Sequence, residues 1–379
     1  MSGRVVGVDV ARAVALVGMM ATHILPGLED GEVSLSHQLA AGRASALFAV
    51  LAGVSLVLVA GRRTPLRGAA WQGMLVGTLV RASLLGVVGL VIGGVDSGIA
   101  VILVYYAVLF VVAVPFLALR TGPLLATALA WAVLAPLASH WLRDRVAATT
   151  YAVPSVDSLA TPGALVRELL LTGYYPVLTW LPYVLAGAVI GRLDLRAAAT
   201  AGKLATVGAG AVAVSWLASD ALVGRPGVRA ELVRTFDGAG WRGDLGTTLA
   251  SGLYGVTPTD SAWWLAVRAP HSGTTFDLTM TTGSACLVLA VSLLVGRALP
   301  RVCSVLFGAG AMTLTLYSLH VVLRADGWWD DDDLATFLGQ VGLVLGIGAV
   351  FRWGGHRGPL EVLLGELSTG ARNAVSGRR

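Results

Sequence analysis

The chain has 379 residues, 56% of them hydrophobic and 13% charged, with a mean hydropathy of +0.77. Average usage would give roughly a quarter charged residues, so the deficit disfavours a soluble dehydrogenase or a nucleic-acid binder, and two cysteines cannot build a secreted disulfide framework. The net charge of +5 and the pI near 9.5 must be sorted by side of a bilayer before they are read as affinity for a partner.

A helix needs about 20 mostly apolar residues to cross the hydrocarbon core. Ten such runs are predicted, at residues 5–25, 43–60, 74–95, 99–119, 124–142, 174–191, 204–223, 277–297, 304–323 and 335–352. The expected fold is therefore all-α, a polytopic integral membrane helix bundle of about ten transmembrane helices. In the first run Asp9 and Arg12 interrupt the apolar stretch and no Ala-X-Ala-like cleavage site follows, so it reads as a retained helix. Asp9 and Arg12 are three apart and can pair on one face. His23 lies eleven residues beyond Arg12, which puts both on one stripe roughly 16 Å apart. His37 follows in the first long connection, at 26–42. Run three carries Arg81 and two Gly-X3-Gly pairs, Gly73/Gly77 and Gly89/Gly93, whose spacing, like that of Gly342/Gly346, suits close helix approach.

The connection at 143–173 follows His140. Gly208-Ala-Gly210 lies inside an apolar helix with no preceding strand, so it is not a dinucleotide fingerprint. The long connection at 224–276 holds Phe236, Trp241, Tyr254, Trp263, Trp264 and His271; such loops fold over a substrate site or form an interfacial aromatic belt. Cys286 and Cys303 are too far apart along the chain's helical rise to bridge. His320 closes run nine. No zinc-ligand spacing and no Gly-X-Ser-X-Gly elbow occurs. From Pro359 on, leucines followed by arginines read as an interfacial amphipathic helix.

With the N-terminus inside, the short inner segments hold Arg4, Arg62, Arg63, Arg67, Arg120, Arg192, Arg196, Lys203, Arg297, Arg301 and the tail arginines, while the outer side carries Glu29, Asp30, Glu32, Asp96, Asp326 and Asp330 to Asp333. This is the positive-inside pattern, and an even number of spans keeps both termini cytoplasmic. It explains the basic pI without nucleic acid. His23, His37, His140, His271 and His320 then fall on the outer side.

Ionisable groups within a bilayer are costly and are either functional or paired. One stripe offers a cationic anchor inside, Arg12, and a proton-transfer group outside, His23. That suits an anionic cytoplasmic donor such as acyl-CoA whose thioester reaches toward an outer acceptor. The plain structural alternative is an Asp9–Arg12 pair that fixes topology, with His23 a polar helix end. Arg81 can snorkel, pair with Asp9 or bind donor phosphates.

Val8-Asp9-Val10-Ala11-Arg12, Met19-Met20-Ala21-Thr22-His23 and the stretch Gly42 to Ser55 together resemble the opening of the bacterial branch of the heparan-α-glucosaminide N-acetyltransferase catalytic-domain family. The Arg-X10-His spacing also resembles the acyltransferase-3 membrane enzymes. Gly173 to Pro182, Gly187, Gly191-Arg192, Ala269-Pro270-His271-Ser272-Gly273 and Arg357-Gly358-Pro359-Leu360-Glu361 are similar to actinobacterial members and to YeiB-like membrane proteins.

The resemblance implies a multi-pass cell-membrane acyltransferase, residues 1–358, with a cytoplasmic amphipathic tail, 359–379. It would take acetyl-CoA or another acyl-CoA as donor substrate, without a metal, and acylate an extracytoplasmic glycan or other envelope acceptor, in contact with membrane lipid; an oligomer is left open. The heparan type points to His37 as the catalytic base and the acyltransferase-3 pattern to His23. Asp9, Arg12 and Arg81 would bind the donor, and His271, Trp263, Trp264 and His320 would lie on the acceptor side. Two other classes compete: a transporter or flippase for a solute or lipid-linked sugar, and a non-catalytic envelope partner protein.

Overall fold

The computed structural model describes residues 4–61, 65–147, 152–238 and 244–377. Arg62, Arg63, Trp241, Arg378 and Arg379 lie outside them. The first helix, α1 (Val6–Ile24), is followed by a two-residue hairpin, β1 (Leu28–Glu29) and β2 (Glu32–Val33), a short α2 (Leu35–Ala40), α3 (Arg43–Val59) and α4 (Gly68–Gly93). Then come α5 (Leu103–Ala113), α6 (Thr121–Arg143), α7 (Pro162–Arg167), α8 (Val177–Gly191) and α9 (Ala198–Val223). A small segment, α10 (Pro226–Gly238) and α11 (Leu245–Ser251), leads to α12 (Thr275–Ala298), α13 (Pro300–Leu306), α14 (Thr313–Leu323), α15 (Leu334–Trp353) and α16 (Pro359–Ser376). The chain is an all-α polytopic membrane protein.

The number of full spans differs from the ten expected. Among the described residues seven helices are long and apolar enough to cross, or eight if the pair Pro162–Thr172 and Val177–Gly191, bent by 54°, is counted as one. The apolar runs at 99–119 and 304–323 contain only the shorter helices Leu103–Ala118 and Thr313–Leu323. Composition reads both as continuous, but Pro115 sits in a 3-10 turn closing the first, and a 3-10 turn over Gly308–Ala311 splits the second. Apolar content measures length in residues, and a broken backbone spends part of that length on turns.

Small residues set how closely the helices meet. A Cβ on Gly7 of α1 would lie 2.5 Å from the Leu293 Cα of α12, and one on Gly296 would lie 2.6 Å from the Gly7 nitrogen. Gly208 of α9 and Gly283 of α12 likewise face each other's carbonyls at 2.6 and 2.8 Å. Such contacts substitute for the hydrophobic drive that a lipid environment removes. Of the expected glycine pairs, Gly73 and Gly77 do this work for the tail, where Cβ atoms would meet the Arg372 and Ser368 carbonyls, both at 2.8 Å. Gly342 and Gly346 do not, since nothing described lies within 4 Å of either position.

The span of α1 is 61% buried and that of α9 only 17%, so α1 threads the interior while α9 is peripheral. Val207, Val214 and Leu217 on α9 and Leu129 and Leu134 on α6 are exposed, as expected of a lipid-facing surface. Cys286 and Cys303 are both free and buried. The tail does not stand apart as a surface helix: α16 packs along α4 and Leu364 is fully buried.

Candidate active site

Two polar clusters occupy opposite ends of α1. At its C-terminal end His23 Nδ1 lies 3.2 Å from His320 Nε2 of α14, with the rings stacked 5.4 Å apart. His320 Nδ1 is 2.9 Å from Gln340 Oε1 of α15, and Gln340 Nε2 donates to the Trp329 carbonyl at 2.9 Å. Only a donor can meet that carbonyl, so the Gln340 amide orientation follows, and its Oε1 must accept from the His320 Nδ1–H. His320 Nε2 is then the acceptor for His23 Nδ1–H. The consequence is a defined tautomer: His23 keeps the lone pair of Nε2 for chemistry. A base held by a second group, itself oriented by a third, is the arrangement that activates nucleophiles.

His23, His271, Tyr175 and Tyr317 line one cavity of about 30 Å³, the space of a single water or of one attacking hydroxyl or amine. His271 reaches it from the turn before α12 and is held there by local geometry. Its backbone adopts φ +57°, a left-handed conformation uncommon outside glycine. Its carbonyl accepts from the Gly255 N–H at 2.7 Å, and the Gly273 N–H beside it donates to Asp277 Oδ2 at 3.0 Å. The ring stacks on Trp180 at 6.1 Å and meets the edge of Tyr175 at 5.8 Å. Desolvation among these groups lowers the His271 pKa to about 4.

At the N-terminal end Asp9 Oδ2 accepts from Arg4 Nε at 2.5 Å and Asp9 Oδ1 from Arg12 Nη1 at 3.2 Å, while Arg12 Nη2 donates to Ser55 Oγ at 2.5 Å. Asp9 is thus committed to Arg4 and Arg12, not to Arg81, which borders the same space without an ion pair to it. Glu361 of α16 accepts from the Leu314 N–H at 2.7 Å, the Thr315 N–H at 3.2 Å and the Thr315 hydroxyl at 2.6 Å. It thereby satisfies orphan donors at the start of α14.

A line of cavities joins the two ends. One of about 170 Å³ is lined by Arg12, Ser55 and Arg81, with Ser368 and Arg372 from the tail. The next, about 150 Å³, shares Arg12, Ser55, Arg81 and Phe110 with it and adds Leu85, Leu103, Tyr106 and Tyr317. That middle cavity shares Met19, Ile102 and Tyr317 with the one at His23. Arg12 and Arg81 thus border both of the first two cavities, and the second adds Glu361 beside apolar side chains.

The remaining expected residues are spread more widely. His37 caps nothing in the His23 cavity; its Nδ1 lies 3.3 Å from Ser34 Oγ and 3.4 Å from Ser36 Oγ, and its ring packs near Gly27. Trp264 is fully buried, donating from Nε1 to Thr235 Oγ1 at 3.0 Å, in a small outer core with Leu232 and Phe236. Trp263 is exposed beside it. His320 has no exposed area and lies against His23. Sequence reasoning passed over Gln340, Tyr175 and Tyr317. Gln340 had a signal, a carboxamide inside an apolar run; Tyr175 lay within the stretch Gly173 to Pro182 that carries the resemblance, and Tyr317 had no signal apart from its apolar surroundings. Among the described residues no group of three His, Cys, Asp or Glu side chains is placed to hold a metal.

The fold defines a multi-pass membrane protein with its polar groups gathered on an interior helix. The chain belongs to the family described as heparan-alpha-glucosaminide N-acetyltransferase, catalytic, whose family model matches residues 4–223. No curated protein matches the chain.

Proposed function

We propose that the protein is an acyltransferase that takes an acyl group from cytoplasmic acyl-CoA and delivers it to a sugar or other envelope acceptor on the opposite face of the cell membrane. The observation that carries this reading is the line of cavities from Arg12 and Arg81 to His23. Arg4 and Arg357 line one space at the arginine end, which supports both termini lying on one side, and the positive-inside pattern assigns that side to the cytoplasm. Residues 1–358 make up the acyltransferase unit, with 359–379 as its tail.

His23 is the general base. As the acceptor hydroxyl or amine attacks the thioester carbonyl, Nε2 takes its proton, the carbon–sulfur bond breaks and the proton returns to the departing CoA thiolate. Arg12 and Arg81 hold the donor, and Asp9 orients Arg12. His271 faces the acceptor, whereas His320 acts through His23. His37, Trp263 and Trp264 belong to the outer loops that cover the acceptor entrance.

The test is saturable acetyl-CoA binding by the purified protein in lipid nanodiscs, followed by release of free CoA thiol when amino-sugar acceptors are added. Binding lost in Arg12→Ala, and release lost in His23→Ala with binding retained, are expected. Wild-type protein with no acetyl-CoA binding would end the acyltransferase reading.

A further inference from the structure

The tail helix lies beyond the residues matched by the family, yet it forms a wall of the arginine-end cavities. Ser368 and Arg372 line the space that holds Arg12 and Arg81. Arg372 and Ser376 also line a neighbouring groove of about 560 Å³, together with Val59, Leu66, Arg67 and Met74. That volume is within the roughly 300–1,000 Å³ of small-molecule sites. The two spaces share Val59, Met74 and Arg372 as lining residues, so they lie side by side between the edge of the bundle and Arg12.

Its charge is one-sided. Arg12, Arg67, Arg81 and Arg372 line these two spaces and no carboxylate does, among the described residues. The adjoining space near Arg4 differs, because Asp9 and Glu361 offset its arginines. Hydroxyls of Ser55, Thr78, Ser368 and Thr369 are spaced along the groove. Arg372 is held in place at two points: its Nη1 donates to the Val59 carbonyl at 2.9 Å, and its backbone carbonyl packs at the glycine face of α4. One guanidinium nitrogen is thus spent on fixing the side chain, and the fork retains further donors.

We infer that α16 is a component of the donor site, and that Arg372, with Arg67, binds the phosphates of the nucleotide end of coenzyme A while the acyl arm runs past Arg12 toward His23. This rests on the acyl-CoA reading and extends it to a segment outside the matched family region. A groove of arginines without carboxylates selects a polyanion, and fork-shaped guanidinium donors suit phosphate oxygens. The middle cavity keeps Arg12 and Arg81 but adds Glu361 with Leu85 and Leu103, so the phosphates are assigned to the carboxylate-free end and the acyl arm to the middle.

The experiment compares CoA with 3′-dephospho-CoA by equilibrium binding to the full chain in nanodiscs, for wild type, R372Q and R372K. Wild type is expected to prefer CoA, R372Q to lose about tenfold in CoA affinity, as for one charge-assisted hydrogen bond, and R372K to recover part of it. Hydrogen exchange of the wild type provides a readout free of substitutions, in which CoA should slow exchange across residues 365–376. R372Q that binds CoA as tightly as wild type, or wild-type CoA binding that leaves exchange in α16 unchanged, would overturn the assignment. Wild type that binds neither compound would instead fail the acyl-CoA reading, and this assignment with it.

Discussion

At the scale of single residues the distinction that matters is between groups that touch the reacting atoms and groups that aim them. On the proposed mechanism His23→Ala removes the base, and general-base assistance is commonly about 10²–10⁴-fold; turnover should fall by that order while CoA affinity is kept. Gln340→Leu leaves His23 and the cavity in place but frees the His320 tautomer, since Oε1 no longer receives the Nδ1–H. It should lower turnover about tenfold or more and displace the acidic limb of the pH–rate profile, a change that a purely structural loss would not produce. His271 gives a separate pH signature. Folded, it titrates near 4 rather than 6.5, so between those values the unfolded chain binds the extra proton. Its contribution to stability is complete above 6.5 and is lost as the pH falls toward 4. Thermal unfolding in detergent should therefore weaken from about pH 7 to about pH 4.5, and His271→Gln should flatten that slope.

At the scale of elements, α14 and α16 depend on each other. Glu361 supplies three acceptor contacts to the first turn of α14, which carries Tyr317 and His320 one and two turns further on. Glu361→Ala should cost about 1 kcal/mol or more of stability as a lost helix cap, and more in turnover than in CoA affinity, because it loosens the helix behind His23. Gly77→Leu would force the tail from α4 and should cost about 1–3 kcal/mol, as overpacking does; a thermal unfolding series in nanodiscs measures both. These elements also show what the sequence could reveal. Hydropathy found the long apolar helices and α14, though not the Pro162–Thr172 arm of the bent pair, and spacing within one segment gave the Arg12–His23 stripe. The break at Gly308–Ala311 was hidden, since glycine and alanine read as apolar. The pairing of His23 with His320, 297 positions apart, was hidden for another reason: periodicity gives the face of a helix and not the face it meets. The tail was legible as amphipathic, and Leu363, Leu367 and Val375 are exposed; the contact of its Ser368 and Arg372 with Gly77 and Gly73 of α4 was not legible, because it joins distant segments.

At the scale of the molecule, the proposed chemistry depends on the two ends of α1 facing different compartments. Every charged group named at the donor end would be misplaced if the bundle were inverted, because acyl-CoA is supplied from the cytoplasm. The positive-inside pattern predicts the orientation, and the structure makes it easy to check, since both native cysteines are buried and should give little background to a membrane-impermeant thiol reagent. Lys203 at the start of α9 and Asp260 before the turn that carries His271 are exposed, so a cysteine at either should label without disturbing the core. In intact cells Asp260→Cys should react and Lys203→Cys should react only after the membrane is opened. The reverse result would place the arginine groove on the outer face, out of reach of cytoplasmic CoA, and the acyl transfer from inside to outside would have to be abandoned even if His23 proved essential.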